Sequence, residues 1–241
     1  MAKKNKDVVN SYVEVMCALS RKIGKTIEPK DLFEAGLDQI KLINDANNEW
    51  KSLVENVFDT NSTKEVYVRS HGRNGGGSDK LCDVLEYVFG RTFSIDKSNN
   101  AEPKRILKRA FNDIDCQDYQ ISHIFEERTN NPLLFGAPWM ICYTPKIIDP
   151  FTGHESQGFP MFREAFVNKV YSHNEAFINE YNKIVREKCW PKLKEYFESG
   201  LFADDTNFKN HMIVTLAPIE VNIEKLPKAE RINRYLEAFN K

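Results

Sequence analysis

The stretch Ile121–Ser156, "ISHIFEERTNNPLLFGAPWMICYTPKIIDPFTGHES", departs from the helical periodicity of its surroundings. It holds His123, His154, the pair Asn130–Asn131 and Asp149, separated by prolines and glycines. Just before and within it, "DYQISHIF" reads as a strand whose last residues include His123. Further on, "PWMICYTPKII" alternates Trp139, Ile141 and Tyr143 with Met140 and Cys142, the period of a second strand. "EERTNNPLLFGA" links the two as an irregular hairpin. "DPFTGHES" then opens a helix or tight turn, because Asp149 suits an N-cap and Pro150 the first helical position. The expected order is strand, loop, strand, helix-like end.

The flanks read mostly as amphipathic helix. In "DVVNSYVEVMCALSRKIG", Val8, Val9, Tyr12, Met16 and Leu19 form one stripe, and Gly24 is a stop. "EPKDLFEAGLDQIKLI" predicts a helix with Pro29 in its first turn and Phe33, Leu37 and Ile40 inward. "EWKSLVENVF" continues it or forms another. "KEVYVRS" sets Val66 and Val68 against Tyr67 and Arg69, a short strand. Past residue 157, long helices dominate, with Pro191 expected to kink or restart one of them. "HMIVTLAPIEVNI" reads as strand or buried extended chain, and "KAERINRYLEAF" as a closing helix. The fold class predicted is α+β, mostly helical with a small central strand, loop and helix core. Three regions are expected within one compact domain: 1–112, 113–160 and 161–241.

Composition narrows the function classes. Of the residues, 41% are hydrophobic and 29% charged, as in globular chains. The formal net charge of -1 gives no global basicity, so attraction to a polyanion must be local. Five cysteines without a CxxC pair argue against a thiolate zinc site and for a reducing cytoplasm. The polar, lysine-rich start is not a signal peptide, and no apolar run reaches membrane-span length. A soluble cytoplasmic protein is expected.

Two segments carry positive charge. In "AEPKRILKRAFNDI", Lys104, Arg105, Lys108 and Arg109 gather opposite an apolar side of Ile106, Leu107, Ala110 and Phe111. A solvated face is the ordinary meaning of such a run, but four like charges without an acidic partner among them suit phosphate contact. In "HGRNGGGSDKLCDVLEYVFG", glycines 72, 75, 76 and 77 precede a helix that Ser78 or Asp79 caps. This lacks the nucleotide-loop pattern, so a connector is the simpler reading, with Arg69 and Arg73 placed to follow a backbone. Lys146 joins this basic set.

The order of the central segment resembles the HNH (ββα-metal) nuclease superfamily over about residues 115–156. His123 at the first strand end, Asn130 or Asn131, Asp149 and His154 match its positions. Ser122 and Met140 depart from it, standing where an acidic ligand and an asparagine are usual. The resemblance implies a divalent metal, Mg²⁺ by preference, held by Asp149 and His154 with Glu126 or Glu127 replacing the ligand missing at Ser122. His123, as neutral imidazole, would take the proton from water, with Asn131 beside it. Alone, each feature is ordinary: Asn-Asn-Pro makes turns and Asp-Pro makes caps. Together they imply a metal-dependent endonuclease similar to type II restriction enzymes, acting on double-stranded DNA as a homodimer. Two alternatives stand beside it. One is a PD-(D/E)xK nuclease using the Asp113, Asp115 and Asp118 cluster. The other is a DNA-binding or interaction protein with a degenerate site.

Overall fold

The computed structural model describes residues 18–72, 76–114, 116–148, 160–200 and 205–241. In the central segment, β4 (Tyr119–His123) pairs antiparallel with β5 (Ile141–Pro145), placing His123 opposite Ile141. A two-residue strand, β1 (Lys41–Leu42), joins the far side of β5, giving the order β1-β5-β4. All five residues of β5 are buried, so the expected alternation from Trp139 to Tyr143 does not occur. Trp139 and Met140 belong instead to the 3-10 turn Pro138–Met140. The link between the strands is structured, with the 3-10 turn Glu126–Arg128 followed by the short helix α5 (Pro132–Phe135).

On the N-terminal side, residues 18–23 are helical and Gly24 follows with φ +67, a left-handed stop natural for glycine. Helix α1 (Pro29–Leu37) begins with a capping box between Glu28 and Asp31. The predicted helix runs too far: the chain leaves it at Asp38, and Lys41–Leu42 pair with β5. An open strand edge outweighs weak helical periodicity over those few residues. Helix α2 (Asn47–Phe58) is separate. Strand β2 (Tyr67–Arg69) pairs in parallel with β3 (Ser94–Asp96) through the crossover helix α3 (Ser78–Phe89). Ser78 does not cap α3: its Oγ accepts a hydrogen bond from His71 N at 3.1 Å, and the N-cap is Gly77. Helix α4 (Ala101–Ala110) buries Pro103, Ile106 and Leu107, while Ala110, expected inside, is exposed.

Two C-terminal elements show the backbone answering to sequence. Helix α6 (Pro160–Ile184) passes through a π-turn, Val185–Cys189, into α7 (Trp190–Glu198). Pro191 has no N–H to offer the preceding turn, and the widened turn just before it relieves that break. The run "HMIVT" expected to be extended is the end of helix α8 (Thr206–Thr215), which Asp205 caps by accepting from Phe208 N at 3.1 Å. Only residues 216–220 run without helix before α9 (Val221–Glu224) and α10 (Lys228–Asn240). Burial of this run, Met212 included, outweighs the strand preference of the β-branched Ile213, Val214 and Thr215.

One hydrophobic cluster draws on residues from Phe33 to Phe239, so the three regions read from sequence share a core. A charged cluster lies within it. Arg128 and Glu224 are both fully buried, with Nη1 2.8 Å from Oε1. Arg128 also donates to the carbonyls of Ala217 and Pro218 and lies 4.7 Å over the Tyr235 ring. The Tyr235 hydroxyl donates to Glu224 at 2.7 Å. Arg231 bridges Glu224 and Glu127, and Arg163 approaches Glu224 at 3.5 Å. Burial alone would raise the Glu127 carboxyl, but Arg231, Arg163 and Arg128 together hold it below the usual carboxylate value. Removing the Glu224 charge strands a fully buried guanidinium. Glu224→Gln is therefore expected to lower stability by about 3–5 kcal/mol. In urea this appears as a lower midpoint at unchanged slope. Arg234→Ala, which breaks only exposed pairs with Glu230 and Glu237, should change it by less than about 0.5 kcal/mol.

Candidate nucleic-acid interface

The pleat of "KEVYVR" builds the floor of an open cleft. Val66 and Val68 turn into the core, leaving Glu65 and Tyr67 on the other side. The cleft, of about 1030 Å³, lies between α2, the β2–β3 pair and α4. Its walls carry Lys64, Lys97, Arg105 and Arg109 and the carboxylates Glu49, Glu65, Asp96 and Glu102.

These charges are ordered by local bonds. The Tyr67 hydroxyl donates to Glu65, which holds the phenol above its ordinary pKa, and Glu102 and Arg105 also act on it. Glu65 accepts a second hydrogen bond from Ser94 Oγ at 3.2 Å. Arg105 grips both oxygens of Glu102, at 2.8 and 2.5 Å, and that bond raises the guanidinium pKa. Arg109 pairs with Glu49 at 3.5 Å. Asp96 is spent on the backbone: it accepts from Ser98 N and Oγ and from Glu102 N at 2.9 Å, fixing the start of α4.

The basic helix predicted from sequence therefore divides. Arg105 and Arg109 line the cleft and have acidic partners that the sequence reading did not count. Lys104 and Lys108 are exposed, outside the cleft lining, and form no ion pair with a described residue. Arg69 is exposed at the end of β2, and Lys146 is exposed 3.7 Å from Asp118. Arg73 lies outside the described residues.

Of the residues matched to the HNH motif, Asp149 and His154 lie outside the described residues, and those that are described have partners within the fold. His123 ends β4 as expected, but its Nε2 is shut off from solvent and without a hydrogen-bond partner among the described residues. The ring stacks on Phe135, 5.4 Å between centroids, and burial takes its pKa down to about 4 against a hydrogen bond to the Phe135 backbone. Asn131 is a structural N-cap. It accepts from Leu133 N and donates to the Tyr181 hydroxyl and the Thr215 carbonyl, so its amide has no donor left for a substrate. Met140 is buried in the core and Ser122 lies within β4. Glu127 belongs to the buried ion cluster, paired with Arg231. Glu126 opens the 3-10 turn, its side chain outside what is described, as are Asp149 and His154. Of the alternative carboxylates, Asp113 and Asp118 are exposed residues with positive φ, and Asp115 is outside the described residues. Among the described residues, no three His, Cys, Asp or Glu side chains gather as a metal cluster.

A second polar cluster escaped the sequence reading altogether. His71 and His211 stack with centroids 4.1 Å apart. Asn130 Oδ1 is 3.1 Å from His211 Nε2 and also bonds His71, while the Asn130 amide donates to the Arg69 carbonyl. Thr215 Oγ1 is 3.3 Å from His211 Nε2. Burial lowers the pKa of His71, partly offset by Asn130, and lowers that of His211 to about 4 with His71 contributing. The cluster ties the start of the glycine loop to α8. A separation of 140 positions along the chain leaves no local signal that the two histidines meet.

Residues 42–221 match the family model described as "Uncharacterised protein PM1201", and the chain belongs to that family. A protein of Pasteurella multocida (strain Pm70), "Uncharacterized protein PM1201", is 38% identical over 163 residues, which cover 63% of this chain and 71% of that protein. No solved structure matches the chain. The matched span contains the cleft and the His71–Asn130–His211 cluster.

The buried imidazoles predict an acid sensitivity. Between pH 6.5 and about 4 the unfolded chain binds protons at His123 and His211 that the folded chain does not. Stability therefore falls as pH drops through that window. Melting followed across it should show a steady decline in the native protein. A His123→Gln/His211→Gln variant, although less stable at pH 7, should show a flatter profile over the same range.

Proposed function

We propose that this protein is a DNA endonuclease that receives the phosphodiester backbone in the cleft between α2, β2–β3 and α4. The observation that carries the reading is the lining itself, four cations interleaved with four carboxylates in one open cleft. Cations alone would suit simple phosphate binding. Carboxylates at the same place repel a polyanion unless a divalent cation comes between them. Mg²⁺ commonly takes one or two carboxylates and completes its shell with water and substrate phosphate, so a preformed three-ligand cage is not required. Glu65 and Glu102, which both act on the Tyr67 hydroxyl, would hold it. When bound, such a cation polarises the phosphate and stabilises the leaving oxygen.

The chain's own groups have separate parts in this reading. Arg105 and Arg109 exchange Glu102 and Glu49 for phosphate oxygens, and Lys64 and Lys97 neutralise flanking phosphates. Glu65, a ligand of that cation in this reading, accepts hydrogen bonds from the Tyr67 hydroxyl and Ser94 Oγ that orient its carboxylate. The cleft thus replaces the ββα segment as the centre of the proposed chemistry. Double-stranded DNA as substrate, a homodimer reading two half-sites and a cytoplasmic setting belong to the same proposal. A second reading, binding without cleavage, is supported by the fact that Glu65, Asp96 and Glu102 already have hydrogen-bond partners.

Two measurements separate these readings. Binding to cognate-rich and random duplexes is measured across a salt series with Ca²⁺ in place of Mg²⁺. Arg105→Ala/Arg109→Ala should flatten the log affinity against log salt plot by roughly two units, and Lys104→Ala/Lys108→Ala by less. The opposite ranking moves the interface to the outer face of α4. Plasmid nicking with Mg²⁺ is then compared with Glu102→Gln, which should cut at least about a hundredfold slower while binding DNA no less tightly. Binding without nicking by the native protein leaves the second reading.

A further inference from the structure

A second cavity, of about 400 Å³, opens beside β1, away from the cleft residues. Its walls divide by chemistry. Ile40, Leu42, Phe111 and Ile114 form an apolar side, and Lys41, Lys169, His173 and Asn44 form a polar one. Ile114 is 61% exposed, the most exposed of the large hydrophobic side chains described, and it stands at this cavity. Among the described residues, no carboxylate lines it.

The polar side is cationic and partly pre-positioned. Lys169 Nζ donates to the Leu37 carbonyl at 2.7 Å and approaches Asp38 at 3.1 Å, which holds its side chain at the rim. Asp38 itself is 80% exposed and outside the lining, so a bound anion can replace it at the ammonium. Lys41 lies 5.3 Å over the Tyr119 ring and forms no ion pair with a described residue. His173 is anchored by Nε2, 3.4 Å from the Ile43 carbonyl. Small-molecule sites occupy about 300–1,000 Å³ and combine an apolar body with a few convergent polar groups.

We propose that this cavity binds a small amphiphilic anion, a carboxylate on an aliphatic or aromatic body. The headgroup sits between Lys41 and Lys169, and the body covers Ile114, Phe111 and Leu42. A bare inorganic anion leaves the apolar wall wet, and an amphiphilic cation meets two ammonium groups. The ligand class follows from those two exclusions.

Cys116 lines the same cavity and is a half-buried free thiol, so its alkylation reports occupancy. Cys82, also half-buried and free, lies outside the lining and serves as the internal reference. The full chain is treated with iodoacetamide in the presence of decanoate below its micellar range, decyltrimethylammonium or inorganic phosphate, and the two cysteine peptides are quantified by mass spectrometry. Decanoate alone should slow alkylation of Cys116 relative to Cys82, saturably. Lys41→Gln and Ile114→Gln should each raise the half-protecting concentration at least about tenfold, the equivalent of one lost apolar or charged contact. Both side chains are on the surface of the cavity, and unchanged melting confirms that each variant folds. Absence of protection, equal protection by the cation or by phosphate, or protection unaffected by both variants overturns the proposal.

Discussion

Glu224 is the residue on which the C-terminal third of the chain is hung. Its carboxylate is fully buried and meets Arg128 from the central segment, Arg163 from α6, and Arg231 and Tyr235 from α10. Each of these groups would be costly inside a protein without its partner. Together they admit one arrangement of four chain segments, since moving any of them leaves a buried charge unmatched. Arg128 extends the constraint by holding the carbonyls of Ala217 and Pro218, the non-helical link between α8 and α9. A purely apolar contact at this place would tolerate sliding. The ion cluster does not.

That constraint reaches the functional surfaces through the central segment. Arg128 sits two residues before Asn130, which bonds His71 and His211, and three before Asn131, which caps α5. Asn130 also holds the Arg69 carbonyl at the end of β2, the strand that forms the cleft floor. Charge pairing in the core is thereby connected to the position of Tyr67 and Glu65. The cleft's other wall depends on a different device. Asp96 caps the start of α4 through Glu102 N and so sets where Arg105 and Arg109 point.

The central stretch shows how far composition and order mislead when polar residues serve structure. His123, Asn131 and Glu127 have types and spacing that suit a base, a catalytic amide and a reserve ligand in phosphodiester chemistry. Each is instead consumed by folding: the histidine ring against Phe135, the asparagine as a cap, the glutamate beside Arg231. The same residue types perform both kinds of work, and only the partners distinguish them. Conversely, Glu65, Tyr67, Asp96 and Glu102 looked unremarkable along the chain. Their common location requires β2, β3 and α4 to be adjacent, and no local pattern states that adjacency.

Much of the secondary structure was legible in the sequence, because it rests on periodicity and short-range chemistry. Gly24 as a stop, Pro29 in a first turn, the β2 alternation and the apolar side of α4 all follow from rules acting within a few residues. The two central strands and their order were readable for the same reason. The sequence also determined that positive charge must be local, since the net charge is -1. Tertiary structure alone decided the rest. It made β5 a buried middle strand by supplying β1 on its second edge, and it turned "HMIVT" into helix by burying that run. It paired Arg105 and Arg109 with carboxylates while leaving Lys104 and Lys108 in solvent, because helix packing sets which side of α4 faces the cleft. Burial and partnership are properties of three-dimensional neighbours, and for a polar residue those neighbours fix whether it holds the fold together or meets a ligand.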